Sequence, residues 1–349
     1  MTLDEMKRND PGDMYGLIDG FAQQVEDAVR IGRRAAVKLP AKAVQNIVLT
    51  GLGGSAIGGD LLRSYLSNEL KIPWVVNRHY RLPDFVGTKT LVIVSSYSGA
   101  TEETLSAYQD AVKRKSRILC ITTGGEVFQR AKRLKHPTIV LPPGLSPRAA
   151  LGYSFFPLLI VLSRCGFIKS RKKDIEETIG LLARKTTTYG DPANIDNLPW
   201  NLARRLQGKI PIIYTPAEHL DAVGLRWRGQ IAENAKQLAF GNVLPEMNHN
   251  ELVGWRTGRG LMKSMEVILL RDKGTHPRVG RREEITKGIL SEYASGVTEV
   301  WSEGRSLLAR MFSLIQVGDW LSYYLAILNH EDPTPVRAID FLKTELARV

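Results

Sequence analysis

The stretch Ile47-Val-Leu-Thr-Gly51-Leu-Gly53-Gly54-Ser55-Ala-Ile-Gly58-Gly59-Asp60 joins a short apolar run to a cluster of five glycines. An apolar run rich in β-branched residues predicts a buried strand, and the glycines let the backbone turn sharply into a following helix. The first turn of a helix presents unpaired N–H groups and the positive end of the helix dipole. The stretch therefore predicts an anion site, with a phosphate group as the expected ligand.

A nucleotide is the alternative ligand for such a loop. A dinucleotide site also requires an acidic residue about 20 positions further on, at the end of the second strand. The sequence there reads Trp74-Val-Val-Asn77-Arg78-His79-Tyr80, which contains no acid. A nucleoside triphosphate loop requires a lysine directly after the glycines, and none follows. The glycines by themselves leave three interpretations open: a phosphate site, a tight turn needed only for packing, and a nucleotide site.

Length and composition are those of a globular protein with two domains. The chain has 349 residues, of which 43% are hydrophobic and 24% charged. The apolar run from Phe155 to Leu162 contains a proline and is shorter than the ~20 residues that span a membrane. The N-terminal segment is polar and lacks the apolar core of a signal peptide. We therefore expect a cytoplasmic protein without a membrane partner.

The charge and the cysteine spacing indicate which partners and which kinds of site to expect. The 48 basic and 36 acidic residues give a net charge of +12, which favours an anionic partner. The basic clusters are spread along the chain and are not interleaved with aromatic residues, so we expect no nucleic-acid partner. Cys120 and Cys165 fit no metal or disulfide spacing, and we expect both to be buried or inert.

Strand-like and helix-like segments alternate, which predicts parallel, doubly wound sheets. In the first half of the chain the strands are expected at 47–50, 74–76, 90–94, 117–122 and 138–141, with a helix at 60–67. The charged segment 166–174 begins with glycine and marks a boundary. A second series follows, with strands at 209–215, 265–270 and 297–301 and helices at 217–228, 229–238, 281–293 and 306–329. The expected domains are residues 1–165 and 174–349.

A second candidate site follows the third predicted strand, in Ser95-Ser96-Tyr97-Ser98-Gly99-Ala100-Thr101. Hydroxyl groups at a strand-to-helix junction are neutral donors to a phosphate. Helix capping explains one such residue but not three within six positions. Because parallel strands end at a common edge of the sheet, Ser96, Ser98 and Thr101 are expected to share one phosphate with the Gly51 loop.

These two segments resemble the phosphosugar-binding motifs of the sugar isomerase domain. Four later motifs resemble the bifunctional phosphoglucose/phosphomannose isomerase family: Pro143-Gly-Leu-Ser-Pro-Arg148-Ala-Ala-Leu-Gly-Tyr153, Gln230-Ile-Ala-Glu233-Asn-Ala-Lys236, Pro245-Glu-Met-Asn-His249-Asn-Glu251 and Asp340-Phe-Leu-Lys343. The resemblance implies two sugar isomerase domains, each a three-layer αβα sandwich. It also implies reversible conversion of glucose 6-phosphate, and of mannose 6-phosphate, to fructose 6-phosphate through a cis-enediol(ate), with no metal and no cofactor.

The resemblance assigns a role to each matching residue. Glu233 is the base that moves a proton between C2 and C1, and Arg148 stabilises the enediolate. His249 and Lys343 open the sugar ring, and the histidine comes from the neighbouring subunit, which implies a homodimer. The phosphate is held by five residues: Gly54, Ser55, Ser96, Ser98 and Thr101.

The residues alone support plainer interpretations as well. Glu233 points away from the apolar side of its predicted helix, which favours an exposed residue paired with Lys236. His249 in a polar loop is typical of a solvated histidine, and Lys343 of a charge on a frayed helix. The family also uses a threonine near the C-terminus to admit the C2 epimer, and Thr334 is the candidate. Two alternative functions stay open: a non-catalytic phosphosugar sensor, and an isomerase of another phosphosugar.

Overall fold

The computed structural model describes residues 3–346 and residue 348. By their contacts these residues form two compact units. The first-sheet unit is Gly20–Gly180, and the second-sheet unit consists of the described segments on either side of it, which end at Asp19 and begin at Leu181. The predicted domains, 1–165 and 174–349, have different bounds, because the segment ending at Asp19 packs with the second-sheet unit.

The helices precede, separate and follow the strands in regular alternation. In chain order they are α1 Leu3–Arg8, α2 Met14–Asp19, α3 Phe21–Arg34, α4 Gly53–Leu66, α5 Glu102–Lys113, α6 Gly125–Leu134, α7 Leu151–Arg164, α8 Lys172–Tyr189, α9 Leu198–Leu206, α10 Asp221–Ala235, α11 Arg259–Met262, α12 Pro277–Leu290, α13 Leu307–Leu328 and α14 Arg337–Leu346. Short 3-10 turns lie at Ala41–Ala43, Pro147–Ala149, Glu246–His249 and Glu251–Gly254.

The first-sheet unit contains five parallel strands in the order β2-β1-β3-β4-β5. They are β1 Asn46–Thr50, β2 Trp74–Asn77, β3 Thr90–Ser95, β4 Arg117–Thr122 and β5 Thr138–Val140. All five predicted strands are therefore confirmed. The core packs apolar side chains of β1, β3 and β4 against α5 and α6. Cys120 lies in this core, and burial raises the pKa of its thiol to about 12.

Four of the five clustered glycines lie inside a helix, where the sequence predicted a turn before the helix: Gly53, Gly54, Gly58 and Gly59. The predicted helix began at Asp60, whereas α4 begins at Gly53. The glycines admit close neighbours: a Cβ on Gly58 would lie 2.6 Å from Ser154 Oγ, and one on Gly59 would lie 2.8 Å from the Leu49 methyl groups. Tight packing therefore overrides the weak helix propensity of glycine.

The second-sheet unit contains four parallel strands in the order β7-β6-β8-β9. They are β6 Ile210–Pro216, β7 Phe240–Leu244, β8 Met265–Arg271 and β9 Gly296–Trp301. Three of them were predicted. The sequence missed β7 because Phe240-Gly-Asn-Val-Leu244 lies at the sheet edge, is only partly buried and carries no continuous apolar run. With parallel sheets in both units, the predicted α/β class is confirmed.

The long helix α13 is the centre of the second-sheet unit. Its length and composition would suffice to cross a membrane, but 94% of its most apolar window is buried inside the structure, as expected for a core helix. Tyr15 of α2 packs edge-on against Trp320 and Tyr323 of α13, and its hydroxyl donates to the Gly190 carbonyl oxygen at 3.0 Å. These contacts explain why the N-terminal segment belongs to this unit.

Candidate active site

The topology of the first sheet places the two predicted phosphate loops side by side. The chain leaves β1 for β2 on one side and returns to β3 on the other, so a crevice opens beyond the carboxyl ends of β1 and β3. In the β1–β3 register Thr50 lies opposite Val94. A Cβ atom on Gly51 would lie only 2.7 Å from the Ser95 carbonyl oxygen, so this close approach requires glycine.

Three serine hydroxyls in these loops are oriented by backbone N–H groups. Ser55 Oγ accepts from Tyr97 N at 2.9 Å, Ser96 Oγ accepts from Gly99 N at 3.1 Å, and Ser98 Oγ accepts from Ala100 N at 3.3 Å. A hydroxyl oxygen that accepts a hydrogen bond still carries a proton that it can donate. The loops therefore present oriented O–H donors, which is the chemistry that a phosphate oxygen requires.

Thr101 joins this group instead of capping its helix. It is the residue before α5, but in the part of the chain that the structure describes its side chain makes no capping hydrogen bond. Its hydroxyl lies 3.1 Å from Ser96 Oγ. One proton is used between the two hydroxyls, and the second is available to a ligand. The geometry thus favours the phosphate interpretation of Thr101 over the capping interpretation.

Tyr97 is a positioning residue that the sequence argument missed. Besides its amide bond to Ser55, its hydroxyl donates to the Pro142 carbonyl oxygen at 2.8 Å and accepts from Leu145 N at 3.1 Å. Its own carbonyl oxygen accepts from Thr123 Oγ1 at 2.7 Å. Burial raises the pKa of this phenol. The sequence offered one sign of this role, which is a large aromatic residue between two serines in a polar loop.

Arg148 lies beside the first turn of α4, in the 3-10 turn Pro147–Ala149, and is only 4% exposed. A Cβ atom on Gly54 would lie 2.5 Å from the Pro147 carbonyl oxygen and 3.0 Å from Arg148 N. Gly54 therefore lets the backbone of this turn contact α4 directly. The predicted phosphate residue and the predicted electrostatic residue are brought together.

Gln24 of α3 clamps the same turn. Its Nε2 donates to the Ala149 carbonyl oxygen at 2.8 Å, and its Oε1 accepts from Gly152 N at 2.8 Å. The side chain of Gln24 is 7% exposed. Because a buried amide with both ends bonded has one favourable placement, it fixes the backbone that carries Arg148.

Glu233 lies near the end of α10 and is half-buried. It lines a cavity of 660 Å³ together with Lys236, the segment 330–332 and the first turn of α14. Sequence periodicity predicted an exposed residue on a helix extending to Leu238. The helix instead ends at Ala235, and Lys236 adopts the left-handed conformation with φ of 54°.

The side chain of Lys236 contacts backbone carbonyl oxygens at the end of α10. Lys236 Nζ donates to the backbone carbonyl oxygen of Glu233 at 2.6 Å, and also to the carbonyl oxygens of Asn234 and Pro333, each at 3.3 Å. Carbonyl oxygens at the end of a helix carry partial negative charge, which a lysine ammonium neutralises. Lys236 thus caps α10 and ties it to the segment before α14.

His249 is exposed on a loop that is anchored on both sides. Met247 is fully buried, and Asn248 Nδ2 donates to Thr286 Oγ1 at 2.8 Å. On the other side, Glu251 accepts from Asn242 Nδ2 at 2.7 Å and from the Tyr214 hydroxyl. Burial and the neighbouring Glu251 carboxylate raise the pKa of Tyr214, which keeps the phenol protonated as a donor. The loop that carries the exposed His249 is therefore held on both sides of this residue.

Thr334 and Lys343 lie near the C-terminus, Thr334 just before α14 and Lys343 within that helix. Lys343 is exposed on α14, beyond the turn that lines the Glu233 cavity. Among the described residues, those that line the cavity include neither Lys343 nor His249. Thr334 is half-buried, donates its N–H to Asp332 Oδ1 at 2.9 Å, and packs so closely on Gly12 that a Cβ there would lie 2.3 Å from its Oγ1.

Known proteins resemble this chain over nearly its whole length. A family model of the bacterial phospho-glucose isomerase C-terminal SIS domain matches residues 195–346. The chain is 45% identical over 337 residues to a bifunctional phosphoglucose/phosphomannose isomerase from Caldicellulosiruptor bescii, covering 96% of this chain and 99% of that protein. It is 35% identical over 342 residues to a bifunctional phosphoglucose/phosphomannose isomerase from Aquifex aeolicus, covering 96% and 99%. The crystal structure of a hypothetical protein from Thermus thermophilus has a TM-score of 0.76 at 16% identity, covering 99% of this chain and 93% of that one.

Two parallel α/β sheets, with hydroxyl-bearing loops at the switch point of the first, define a protein of the SIS, or sugar isomerase, class. The sequence similarity defines the family more closely. The chain belongs to the bifunctional phosphoglucose/phosphomannose isomerase family.

Proposed function

We propose that this protein is an aldose–ketose isomerase that interconverts glucose 6-phosphate, and mannose 6-phosphate, with fructose 6-phosphate. The observation that carries the proposal is similarity to named members of the family across 96% of the chain. The oriented hydroxyls of the first-sheet unit support it, because they suit the phosphate group that all three sugars share.

The phosphate is the anchor in this proposal. Ser55, Ser98 and the hydrogen-bonded pair of Ser96 and Thr101 contact its oxygens, and the pair supplies the one hydroxyl proton that it does not use internally. The first turn of α4 at Gly54 adds the positive end of a helix dipole. Holding the group that does not react fixes the position of the sugar carbons, which lowers the entropic part of the barrier.

Proton transfers make up the chemistry. His249 and Lys343 open the pyranose ring, one delivering a proton to the ring oxygen and the other removing the proton of the anomeric hydroxyl. The Glu233 carboxylate then takes the proton from C2 as the C1 carbonyl becomes an enediolate oxygen. The hydroxyl proton on O2 then passes to O1 as a carbonyl forms at C2, and Glu233 returns its proton to C1, which gives the ketose without any net oxidation.

Arg148 stabilises the enediolate. A guanidinium is always charged, and a buried one fixed by its backbone needs little reorganisation as negative charge develops on the substrate. Its 4% exposure and the clamp of its turn by Gln24 support this role.

Assaying purified protein with both hexose phosphates, while measuring binding of each, tests the proposal. Formation of fructose 6-phosphate from each sugar is the expected result. Binding without turnover would favour the phosphosugar sensor, and turnover of a pentose or hexosamine phosphate alone would favour an isomerase of another phosphosugar. Turnover of glucose 6-phosphate but not mannose 6-phosphate would remove only the dual specificity, for which Thr334 is the proposed determinant.

Substitution of the base gives the sharper test. Glu233→Gln keeps the size of the side chain and removes the carboxylate, so we expect kcat to fall by about 100-fold or more while substrate binding is kept. Glu292→Gln, at an exposed position after α12, serves as the control. Wild-type activity in Glu233→Gln would overturn the assignment of the base.

A homodimer in the cytoplasm, without a nucleic-acid or membrane partner, completes the proposal. Its support is the exposure of His249 on an anchored loop, which suits a residue that completes the site of a second subunit. Mixing two inactive variants tests this arrangement. If His249 acts across the interface, a dimer of one Glu233→Gln and one His249→Ala subunit contains one intact site, and random exchange recovers about a quarter of the sites. If His249 acts within its own subunit, no activity returns.

A further inference from the structure

A ladder of buried polar side chains connects α10 to α13 inside the second-sheet unit. The α10–α13 ladder consists of Arg226, Gln230 and Asn234 on α10 and Asp319 and Ser322 on α13. Each of the five is at most 5% exposed. The three residues of α10 are four positions apart and therefore lie on one stripe of the helix.

Each rung is a specific hydrogen bond. Arg226 Nη2 donates to Asp319 Oδ2 at 2.7 Å, and Gln230 Nε2 donates to Asp319 Oδ1 at 2.9 Å. Asn234 Nδ2 donates to Ser322 Oγ at 2.9 Å, and that hydroxyl donates to the Asp319 carbonyl oxygen at 2.8 Å. Burial raises the pKa of Asp319, while Arg226 and Gln230 act in the opposite direction. The ladder thus ends at Asn234, directly after Glu233 in the chain.

Polar rungs in an apolar helix interface fix how far one helix can slide along the other. A shift of α10 by one turn would mismatch these pairs and separate Asn234 from Ser322, and a buried polar group without its partner is strongly unfavourable. Apolar side chains alone would tolerate such a shift better. The ladder therefore specifies the register of α10, and with it the position of every residue on that helix.

The side chain of Trp227 packs tightly on α13 beside the ladder. A Cβ atom on Gly318 would lie 2.5 Å from Nε1 of Trp227, and that nitrogen donates to the Leu314 carbonyl oxygen at 2.9 Å. Glycine at this point lets the buried indole rest directly on the backbone of α13. The contact adds shape complementarity to the register that the polar rungs set.

Glu233 lies where the ladder ends and the cavity begins. Asn234 holds the backbone on the buried side through Ser322, while Lys236 Nζ holds the Glu233 carbonyl oxygen on the other side at 2.6 Å. The carboxylate itself belongs to a half-buried side chain that lines the 660 Å³ cavity. The backbone of Glu233 is thereby fixed from two directions.

We infer that the α10–α13 ladder is a positioning device for Glu233, and that the Asn234–Ser322 rung sets the placement of its carboxylate. The inference rests on the proposed function, in which Glu233 is the base. Asn234 and Ser322 are positioning residues in this role, because they act through the backbone of Glu233. A displacement of a base by about 1 Å can lower a rate by about 100-fold.

Kinetics of Ser322→Ala, of Asn234→Leu and of the double variant test the inference. We expect kcat for glucose 6-phosphate to fall by about 10- to 100-fold in each single variant, with KM changed by less than about threefold, since the phosphate contacts are untouched. Because both substitutions break one rung, the double variant should lose little more than the worse single variant. Ser322→Ala removes a single oxygen atom, so it stays informative where Asn234→Leu fails to fold.

Gln316→Leu is the matched control on the same helix. Gln316 is fully buried, and its Nε2 donates to the Leu182 carbonyl oxygen and to Thr186 Oγ1, each at 2.9 Å. This variant should lower the unfolding temperature and leave kcat within about twofold. Undiminished kcat in folded Ser322→Ala, or an equal loss of kcat in Gln316→Leu, would overturn the positioning role alone. Absence of turnover in the wild type would overturn the proposed function itself.

Discussion

The hydroxyl oxygen of Ser55 accepts a hydrogen bond from the backbone N–H of Tyr97 at 2.9 Å. This bond joins the first turn of α4, which follows β1, to the loop after β3, and these are the two segments predicted to hold the phosphate. The same tyrosine reaches Pro142 and Leu145 through its hydroxyl, so it connects both loops to the segment that leads to Arg148. Tyr97 is therefore the structural centre of the proposed phosphate site.

Tyr97→Phe should weaken both the fold and the site. The change removes the hydroxyl that donates to the Pro142 carbonyl oxygen and accepts from Leu145 N, and each lost bond is worth about 1 kcal/mol. We expect a loss of about 1–3 kcal/mol in the free energy of unfolding, measured in urea, and a higher KM for glucose 6-phosphate. Unchanged unfolding and KM would show that the hydroxyl does not hold these loops.

Ser96→Ala should act mainly on substrate binding. Hydrogen bonds to charged groups contribute about 1.5–3 kcal/mol, so removing one phosphate donor should raise KM for glucose 6-phosphate by about 10- to 100-fold. Steady-state kinetics with Ser67→Ala as a control, an exposed serine after α4, isolates the effect of the site. A KM equal to that of the control would remove Ser96 from the phosphate site.

Gly54→Ala should displace the turn that carries Arg148. The added Cβ would lie 2.5 Å from the Pro147 carbonyl oxygen, a distance that forces the backbone apart. We expect kcat/KM to fall by about 10- to 100-fold, since the guanidinium and the phosphate loop separate. Gly87→Ala, where a Cβ meets nothing within 4 Å among the described residues, should retain activity. Equal activity in both variants would contradict the contact.

Glu283 should make stability depend on pH. Burial raises the pKa of this carboxyl to about 7 from an ordinary value of 4.5, although Arg271 opposes the shift. Between pH 4.5 and 7 the folded state then holds a proton that the unfolded state has released. The contribution of Glu283 to the free energy of unfolding is therefore complete below pH 4.5 and is lost as the pH rises through 7. We measure the free energy of unfolding in urea at about pH 5 and about pH 8. Between these pH values the wild type should lose more of this free energy than Glu283→Gln does, and the difference should be on the order of 2 kcal/mol. A parallel pH dependence in the two proteins would contradict this assignment.

Isomerisation should proceed unchanged in the presence of EDTA. The proposed route uses only side-chain acids and bases and a guanidinium, so chelation of divalent cations leaves every step intact. We measure the initial rate of isomerisation with and without the chelator, and again after Mg²⁺ or Zn²⁺ is added back. A rate that disappears with EDTA and returns with a metal would require a different mechanism.

Local sequence patterns by themselves determined the fold class and the position of the two proposed phosphate-binding segments at one edge of the sheet. Alternating strands and helices specify a parallel sheet, and the carboxyl ends of adjacent strands bring the Gly51 and Ser96 segments to one edge whatever the rest of the chain does. The resemblance of motifs supplied the family. The edge strand β7 and the true start of α4 escaped, because their signals depend on neighbours distant in sequence.

Tertiary structure decided the surroundings of the functional residues. Helical periodicity predicted an exposed Glu233 on a helix extending to Leu238, whereas α10 ends at Ala235 and Lys236 Nζ donates to the Glu233 carbonyl oxygen. The ladder to Asp319 and the clamp by Gln24 join residues about 90 and 125 positions apart. Such pairings are set by which surfaces meet when helices pack, and no local pattern in the sequence encodes them.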